Sequence, residues 1–382
     1  METFLQNIPS TLRPPAPVEI GRPLSTVATP AMLLDLDAFE SNLQGMADWA
    51  ARHKIKLRPH AKAHKSVAIA EAQIARGAIG ICCQKLSEAY PFAAAGVRNI
   101  LISNQFVGAD KVAMAIELSR YIDLTVCVDH PAQITALGEA AKASGNRLTV
   151  LPEVDIGQGR CGVSTPDDLM HLVSSIAAYD MLHFGGIQAY HGGAQHNASW
   201  NDRKAAAQRA ADATAAYVRY LDTRGVRCAT VTGSGTGCAE FDAASGVYTE
   251  LQPGSYAFMD KHYGSLEWHG DLQFQNALFI ATTIMSTARE GRAVCDVGLK
   301  GLAVDSGMPM VHAPHTLQYI AANDEHGILE ILNVDRHDRL GERILLIPGH
   351  CDPTVNLYDQ FIGFRKNVVE CIWKVDARGL SQ

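Results

Sequence analysis

The chain has 382 residues, more than one ordinary core holds, which suits a large domain joined to a smaller one. Hydrophobic residues at 47% against 19% charged exclude an intrinsically disordered chain. A net charge of -7 without any Lys/Arg block interleaved with aromatics speaks against nucleic acid, and no apolar run is long enough to span a bilayer.

The N-terminus starts Met-Glu-Thr, runs proline-rich to Pro23, and lacks the basic and apolar regions of a secretory signal. Nine cysteines is an odd number; none forms a Cys-x-x-Cys pair, and Cys82 and Cys83 are adjacent. Buried thiols in a reducing compartment are therefore expected, with the cytoplasm as the location.

Residues 1–28 read as an irregular arm. From Ala31 short apolar runs alternate with longer amphipathic stretches. The runs predict strands at 32–36, 55–58, 79–83, 99–103, 124–128, 148–154, 184–188, 229–232 and 248–251. Helical spacing appears at 39–52, 85–95, 111–120, 132–143 and 203–224, and from about Ser66. Such alternation implies a parallel sheet, and about eight repeats imply a TIM barrel over 29–273. Nine candidate strands are one too many, so the first or the last belongs outside the barrel. After Phe274 the pattern turns strand-rich, at 278–285, 293–297, 317–320, 327–331, 343–347, 360–364 and 368–373. It reads as a β domain over 274–382.

Chemistry-bearing residues fall at strand ends. Lys62 lies in Leu57-Arg58-Pro59-His60-Ala61-Lys62-Ala63-His64-Lys65, just after an apolar run. A lysine that attacks an aldehyde must be neutral, and Arg58, His60, His64 and Lys65 would supply positive charge to lower its pKa. By spacing alone, a solvated basic turn is the simpler reading. Gly233-Ser234-Gly235-Thr236-Gly237 follows a late strand, where barrels commonly bind phosphate, and Gly254-Ser255-Tyr256 follows the next. An ordinary glycine-rich turn is the competing reading. In His350-Cys351-Asp352, positions i and i+2 of extended chain project to one side, so His350 and Asp352 could share a ligand while Cys351 points away. An imidazole and a carboxylate suit a divalent cation of the Mn²⁺ or Co²⁺ type, with Mg²⁺ also open. A turn whose side chains cap local backbone explains the same residues. The run Asn323-Asp324-Glu325-His326 reads equally as a solvated turn, and His191 and His196 as loop histidines without a role.

Together the Arg-Pro-His-x-Lys-x-x-Lys segment, the Gly-Ser-Gly-Thr-Gly loop and Pro348-Gly349-His350-Cys351-Asp352-Pro353-Thr354 resemble the D-threonine aldolase family. These are alanine-racemase-like enzymes that use pyridoxal 5'-phosphate (PLP), and the resemblance runs from about Thr29 to Gly379. It implies a barrel followed by a β domain, with Lys62 as the PLP lysine. Lys65, the main competitor, is expected on the surface of the next helix. It implies a phosphate cup of Ser234, Gly235, Thr236, Gly237 and Gly254, with the Tyr256 hydroxyl near the phosphate.

The resemblance also puts Arg160 beside the pyridine nitrogen. A guanidinium cannot accept a proton, so it would keep that nitrogen unprotonated and weaken the electron sink. Pairing of Arg160 with Asp155 is the competing reading. Gln84 could hydrogen-bond the phenolic oxygen and Tyr190 could pack on the ring; a polar loop residue and a core tyrosine are the alternatives. The metal would sit on His350 and Asp352. Related D-serine dehydratase-like enzymes carry His-x-Cys there, which favours zinc, so Asp352 points to an aldolase and a harder metal.

The implied reaction is a PLP- and metal-dependent retro-aldol cleavage of D-threonine and related D-β-hydroxy-α-amino acids to glycine and an aldehyde, in a homodimer. A 3-hydroxy-D-aspartate aldolase would need a further cation for the second carboxylate. A D-serine or D-3-hydroxyaspartate dehydratase-like lyase would eliminate water instead. A non-enzymatic PLP homeostasis carrier would end near the last barrel strand, whereas this chain continues for about a hundred residues with the metal pair in them.

Overall fold

Apolar positions three and four apart build the first long helix, Leu36–His53, whose Leu36, Phe39, Leu43, Met46, Trp49 and Ala50 are buried. Asp35 caps it, accepting N–H bonds from Asp37 and Ala38 at 3.0 and 3.1 Å. The computed structural model describes residues 16–332 and 338–382.

Strand β1 (Ala31–Asp35) precedes that helix. Then follow β2 (Lys56–Leu57), β3 (Ile81–Cys83), β4 (Asn99–Ile102), β5 (Asp123–Val128), β6 (Leu148–Pro152), β7 (Leu182–Phe184), β8 (Gly186–Ala189), β9 (Thr230–Gly233) and β10 (Glu250–Leu251). β3 to β7 pair in order, as do β2, β10, β9 and β8, all in parallel. Single bridges, His60 to Cys82 and Glu153 to Gln188, close the two arcs into a barrel. The run predicted as one strand at 184–188 is two short ones. Gly186 has φ 137°, and a Cβ there would stand 1.9 Å from the Thr230 carbonyl oxygen. Only glycine lets the chain turn this close to β9.

The predicted helices form on the outside. A further one, Pro166–Ala177, was not anticipated; Thr165 caps it and Pro166 opens its first turn. Inside the barrel, Cys82, Leu101, Cys127 and Leu151 from β3 to β6 make an apolar wall. The opposite wall is polar. Arg58 donates to Glu250 at 2.6 and 3.2 Å, Thr232 donates to Glu250 at 2.8 Å, and Gln252 donates to Thr232 and Gln188 at 2.8 Å each. These groups are buried, and each is paired, as burial requires.

The remaining strands are β11 (Leu278–Arg289), β12 (Arg292–Cys295), β13 (Met310–Ala313), β14 (Leu317–Ala322), β15 (Gly327–Ile331), β16 (Arg343–Ile347), β17 (Gln360–Arg365) and β18 (Val368–Lys374). β13 was not anticipated. Among the described residues these eight join β1 in a nine-stranded sheet, β1 lying antiparallel to β11 and parallel to β17. β1 is thus the strand in excess of eight. The architecture is the expected α/β barrel with a C-terminal β-rich part. Of the arm expected over 1–28, residues 1–15 lie outside the described residues. The rest runs beside β18, with Gly21 N–H on the Val369 carbonyl at 2.8 Å and Val18 and Val27 buried. All nine cysteines are free. Among the described residues no helix is long and apolar enough to cross a membrane.

Candidate active site

The C-terminal ends of the barrel strands open into a cavity. Lys62, Gln84, Arg160, Tyr190, Ser234, Gly235, Thr236 and Gly254 line it, carried by loops that follow several of the barrel strands. His60, expected only as a positive neighbour of Lys62, completes the lining with Ser103, Gln188, Gln252, Ser255 and Tyr263, which had no predicted role.

Lys62 sits in the 3-10 turn Ala61–Ala63 and reaches Asp352 Oδ2 with Nζ at 3.6 Å. The expected positive neighbourhood does not form. Burial pushes the His60 imidazole down to about 3 and that of His64 to about 4, so both are neutral. Arg58 is neutralised by Glu250 and Lys65 by Glu88 at 3.2 Å. With those charges gone, the Asp352 carboxylate dominates and raises Lys62 above the usual lysine value; burial opposes it. Lys65, expected on the surface, is buried at φ 50° and also donates to Asn356 Oδ1 at 3.0 Å. It is held too firmly by these partners to compete for an aldehyde.

Ser234 is buried in left-handed backbone, φ 69°, an unusual conformation for a serine. The N–H groups of the buried Gly235 and Thr236 make no hydrogen bond within the described residues. Free donors beside the Ser234, Thr236 and Ser255 hydroxyls are what a phosphate dianion needs. Two predicted cup residues, Gly237 and Tyr256, are not among those that line the cavity. A Cβ on Gly237 would meet the Gln195 carbonyl at 2.4 Å, so this glycine serves close packing. Tyr256 turns its ring into the core, where its hydroxyl accepts a bond from Gln73 at 3.2 Å; only its N–H joins the cup, donating to Thr236 Oγ1 at 3.0 Å.

Arg160 does not pair with Asp155, which instead accepts the Gly157 and Gly159 N–H groups at 2.9 and 3.1 Å. Its guanidinium lies 4.0 Å from Glu153 and 5.4 Å from the Tyr190 ring centre, so both site residues share one wall. Gln84 belongs to a short relay. The Lys62 N–H donates to His60 Nδ1 at 3.4 Å, His60 Nε2 meets Ser103 Oγ at 2.9 Å, and Ser103 donates to Gln84 Oε1 at 3.3 Å. Ser103 follows β4 as Gln84 follows β3, so its place at a strand end was the available signal.

His350 and Asp352 do not share an extended segment. His350 is extended, φ -144° and ψ 123°, but caps the short helix Cys351–Val355, whose first turn holds Asp352. Asp352 nevertheless reaches the cavity residue Lys62, and Cys351 is fully buried. Buried Asp260 accepts the Cys351 N–H at 2.9 Å and the Tyr263 N–H at 2.9 Å, tying this turn to the barrel. His350 Nδ1 meets Asp305 Oδ2 at 2.7 Å. Among the described residues no group of three His, Cys, Asp or Glu converges on one metal position. A cation on His350 and Asp352 would therefore leave positions for water and substrate, as an open catalytic site requires.

His196 stacks on His262 with ring centres 4.4 Å apart. The ring is exposed to solvent, but desolvation by its neighbours, then the charges of His262, His350 and Lys62, push it down to about 4, which leaves a neutral imidazole within the field of the lysine and the metal pair. The 323–326 run is a surface turn between β14 and β15, where Glu325 pairs with Lys300.

Across 370 residues the chain is 48% identical to a D-threonine aldolase of an Arthrobacter species, covering 96% of this chain and 97% of the relative. The chain belongs to the D-threonine aldolase family. Its residues 34–262 match the alanine racemase N-terminal domain and 277–364 the putative serine dehydratase domain. A crystal structure of D-threonine aldolase from Filomicrobium marinum superposes with a TM-score of 0.94 at 47% identity, covering 96% of this chain and 100% of that one. A 3-hydroxy-D-aspartate aldolase from Paracoccus denitrificans is 41% identical over 94% of each chain. The match to family members takes in barrel and C-terminal part together, so the chain is a two-part enzyme and not a barrel-only PLP carrier.

Proposed function

We propose that this chain is a PLP- and divalent-cation-dependent carbon–carbon lyase that cleaves D-threonine and related D-β-hydroxy-α-amino acids to glycine and an aldehyde. The observation that carries the reading is the meeting of Lys62 Nζ with Asp352 Oδ2 at 3.6 Å, which brings a cofactor lysine and a metal carboxylate into one cavity. Lys62 supplies the amine that holds the cofactor's aldehyde carbon. Ser234, Gly235, Thr236, Gly254 and Ser255 would hold its phosphate. Arg160 would stand at the ring nitrogen, Tyr190 would pack on the ring, and Gln84 would donate to the phenolic oxygen.

PLP bound there supplies an electron sink for the pair left at Cα when the Cα–Cβ bond breaks. A cation on His350 and Asp352, Mn²⁺ by preference with Co²⁺ or Mg²⁺ as alternatives, supplies a Lewis acid to the β-hydroxyl. A guanidinium such as that of Arg160 would donate to the ring nitrogen and not protonate it, which would leave the sink weak and make the cation's help valuable. His196 is the proton acceptor for the β-hydroxyl: its imidazole is neutral and its lone pair available throughout the neutral range. A low-pKa base needs an acidified hydroxyl, which is what the cation provides.

Among the described residues the cationic side chains lining the cavity are Lys62 and Arg160, both assigned to the cofactor. That favours a substrate with a neutral β-substituent over 3-hydroxy-D-aspartate, whose second carboxylate needs a cation of its own. Incubation with D-threonine, PLP and Mn²⁺ tests the reading. Glycine and acetaldehyde, lost on chelation, are expected; 2-oxobutyrate and ammonia would make the enzyme an eliminating lyase. A cytoplasmic homodimer is the proposed working form, supported by family resemblance and checked by light scattering of the purified protein.

A further inference from the structure

We infer that Asp305 is a positioning residue for the metal pair: it fixes the tautomer and orientation of His350 so that Nε2 alone faces the cation. The inference rests on the reading of His350 and Asp352 as metal ligands.

An imidazole can present either nitrogen to a metal, and the choice is set by what the other nitrogen touches. His350 Nδ1 lies 2.7 Å from Asp305 Oδ2, with Ser306 Oγ at 3.4 Å on the same nitrogen. A carboxylate only accepts, so the proton belongs on Nδ1 and the lone pair on Nε2. The partially exposed carboxylate would be a weak partner on a loose loop, but this loop is fastened on both sides of Asp305. Upstream, the Ala303 N–H donates to Thr354 Oγ1 at 3.2 Å, and that hydroxyl donates to the His350 carbonyl at 2.7 Å. Downstream, Lys261 Nζ donates to the Met308 carbonyl at 2.8 Å, and its N–H holds the Pro348 carbonyl at 3.0 Å.

The loop also presses directly on the metal turn. A Cβ on Gly349 would stand 2.1 Å from the Gly307 carbonyl oxygen, so only glycine allows the two segments this approach. The segment from Ala303 to Met308 is thus fastened at both ends and packed on the metal turn, which keeps the Asp305 carboxylate against the far nitrogen of His350.

The test measures Mn²⁺ binding by electron paramagnetic resonance of the free ion, on PLP-loaded protein, for the wild type and Asp352→Ala, Asp305→Ala and Asp305→Asn. Asp305→Ala should weaken Mn²⁺ binding by about 10- to 100-fold, the usual loss when such a partner is removed. Asp305→Asn should recover most of the affinity, because its amide oxygen still accepts the Nδ1 proton. PLP absorbance and melting temperature should match the wild type in both. Wild-type affinity in Asp305→Ala would overturn the inference. So would an Asn variant as weak as Ala whose Co²⁺-substituted visible spectrum shows a changed coordination number, since Asp305 would then be a direct ligand. If Asp352→Ala binds Mn²⁺ as tightly as the wild type, it is the metal reading itself that fails.

Discussion

Lys62 Nζ and Asp352 Oδ2 stand 3.6 Å apart, joining the barrel mouth to the C-terminal part through one ion pair. Each side chain sets the other's charge. Asp352 is the largest influence raising Lys62, and although burial alone would raise Asp352, Lys62 and then His350 hold it below the usual carboxylate range. Cofactor capture and metal capture therefore draw on the same contact.

Replacing Asp352 by Asn removes the charge that raises Lys62 above the usual lysine value. The amine form, the one that attacks an aldehyde, is then reached at lower pH. Uptake of PLP by the apoprotein, followed by its bound absorbance across pH, should shift to lower pH in Asp352→Asn. An unchanged profile would mean that the pair does not control the lysine.

The two lysines of the segment should respond in opposite ways. Lys62→Ala should abolish PLP that survives borohydride reduction as a covalent adduct, with little effect on folding. Lys65→Ala should retain the adduct but leave the buried Glu88 carboxylate without its cation, at a cost of about 3–5 kcal/mol. Reduced-protein mass spectrometry and urea unfolding separate them. An adduct on Lys65 in the Lys62 variant would move the assignment.

The barrel was legible because its apolar runs and helical spacings are local, and because site residues follow strands. Burial and partner choice were not. His60 and His64 look cationic in the sequence, yet the packed barrel mouth strips their charge. Lys65 looks like a surface residue because Glu88 and Asn356, its partners, are distant in the chain. Tyr256 follows the strand expected to complete the cup, but its ring packs 5.9 Å from Phe274 in the core. Asp260 and Asp305 lie in irregular segments with no periodicity to mark them, and only contacts with the distant Cys351 and His350 give them work.

Tyr256→Phe follows from that packing. The hydroxyl meets Gln73, not the cup, while the N–H that serves Thr236 is backbone and survives. Loss of one buried hydrogen bond should cost about 1 kcal/mol in stability. PLP affinity, measured by equilibrium dialysis, should not change; a tenfold loss would return the hydroxyl to the phosphate.

His64 predicts how stability depends on pH. Burial lowers its folded-state value from 6.5 to about 4, so between those values the unfolded chain binds a proton that the folded chain does not. Its contribution is complete above about 6.5 and is lost as pH falls toward 4, at about 1.4 kcal/mol per pH unit. His64→Asn offers an amide oxygen near the position of Nδ1, which accepts the Ser66 N–H at 3.0 Å, and it does not titrate there. Urea unfolding from pH 6.5 to 4.5 should show a shallower loss in the variant; parallel curves would place the titration elsewhere.

The last prediction concerns His196. Its stack on His262 fixes the ring, and its neutral imidazole lies within the influence of Lys62, His350 and Asp352. A positioned base contributes about 10²–10⁴ in rate, so His196→Gln should lower kcat for D-threonine by that order. Because the ring is not assigned to cofactor or cation, PLP and Mn²⁺ affinities should hold. A stronger Lewis acid should shrink the deficit, since a more acidic hydroxyl needs its base less. A kcat within threefold of the wild type would remove His196 from the reaction and leave a metal-held hydroxide as the acceptor. A fall in Mn²⁺ affinity would instead place the imidazole on the cation.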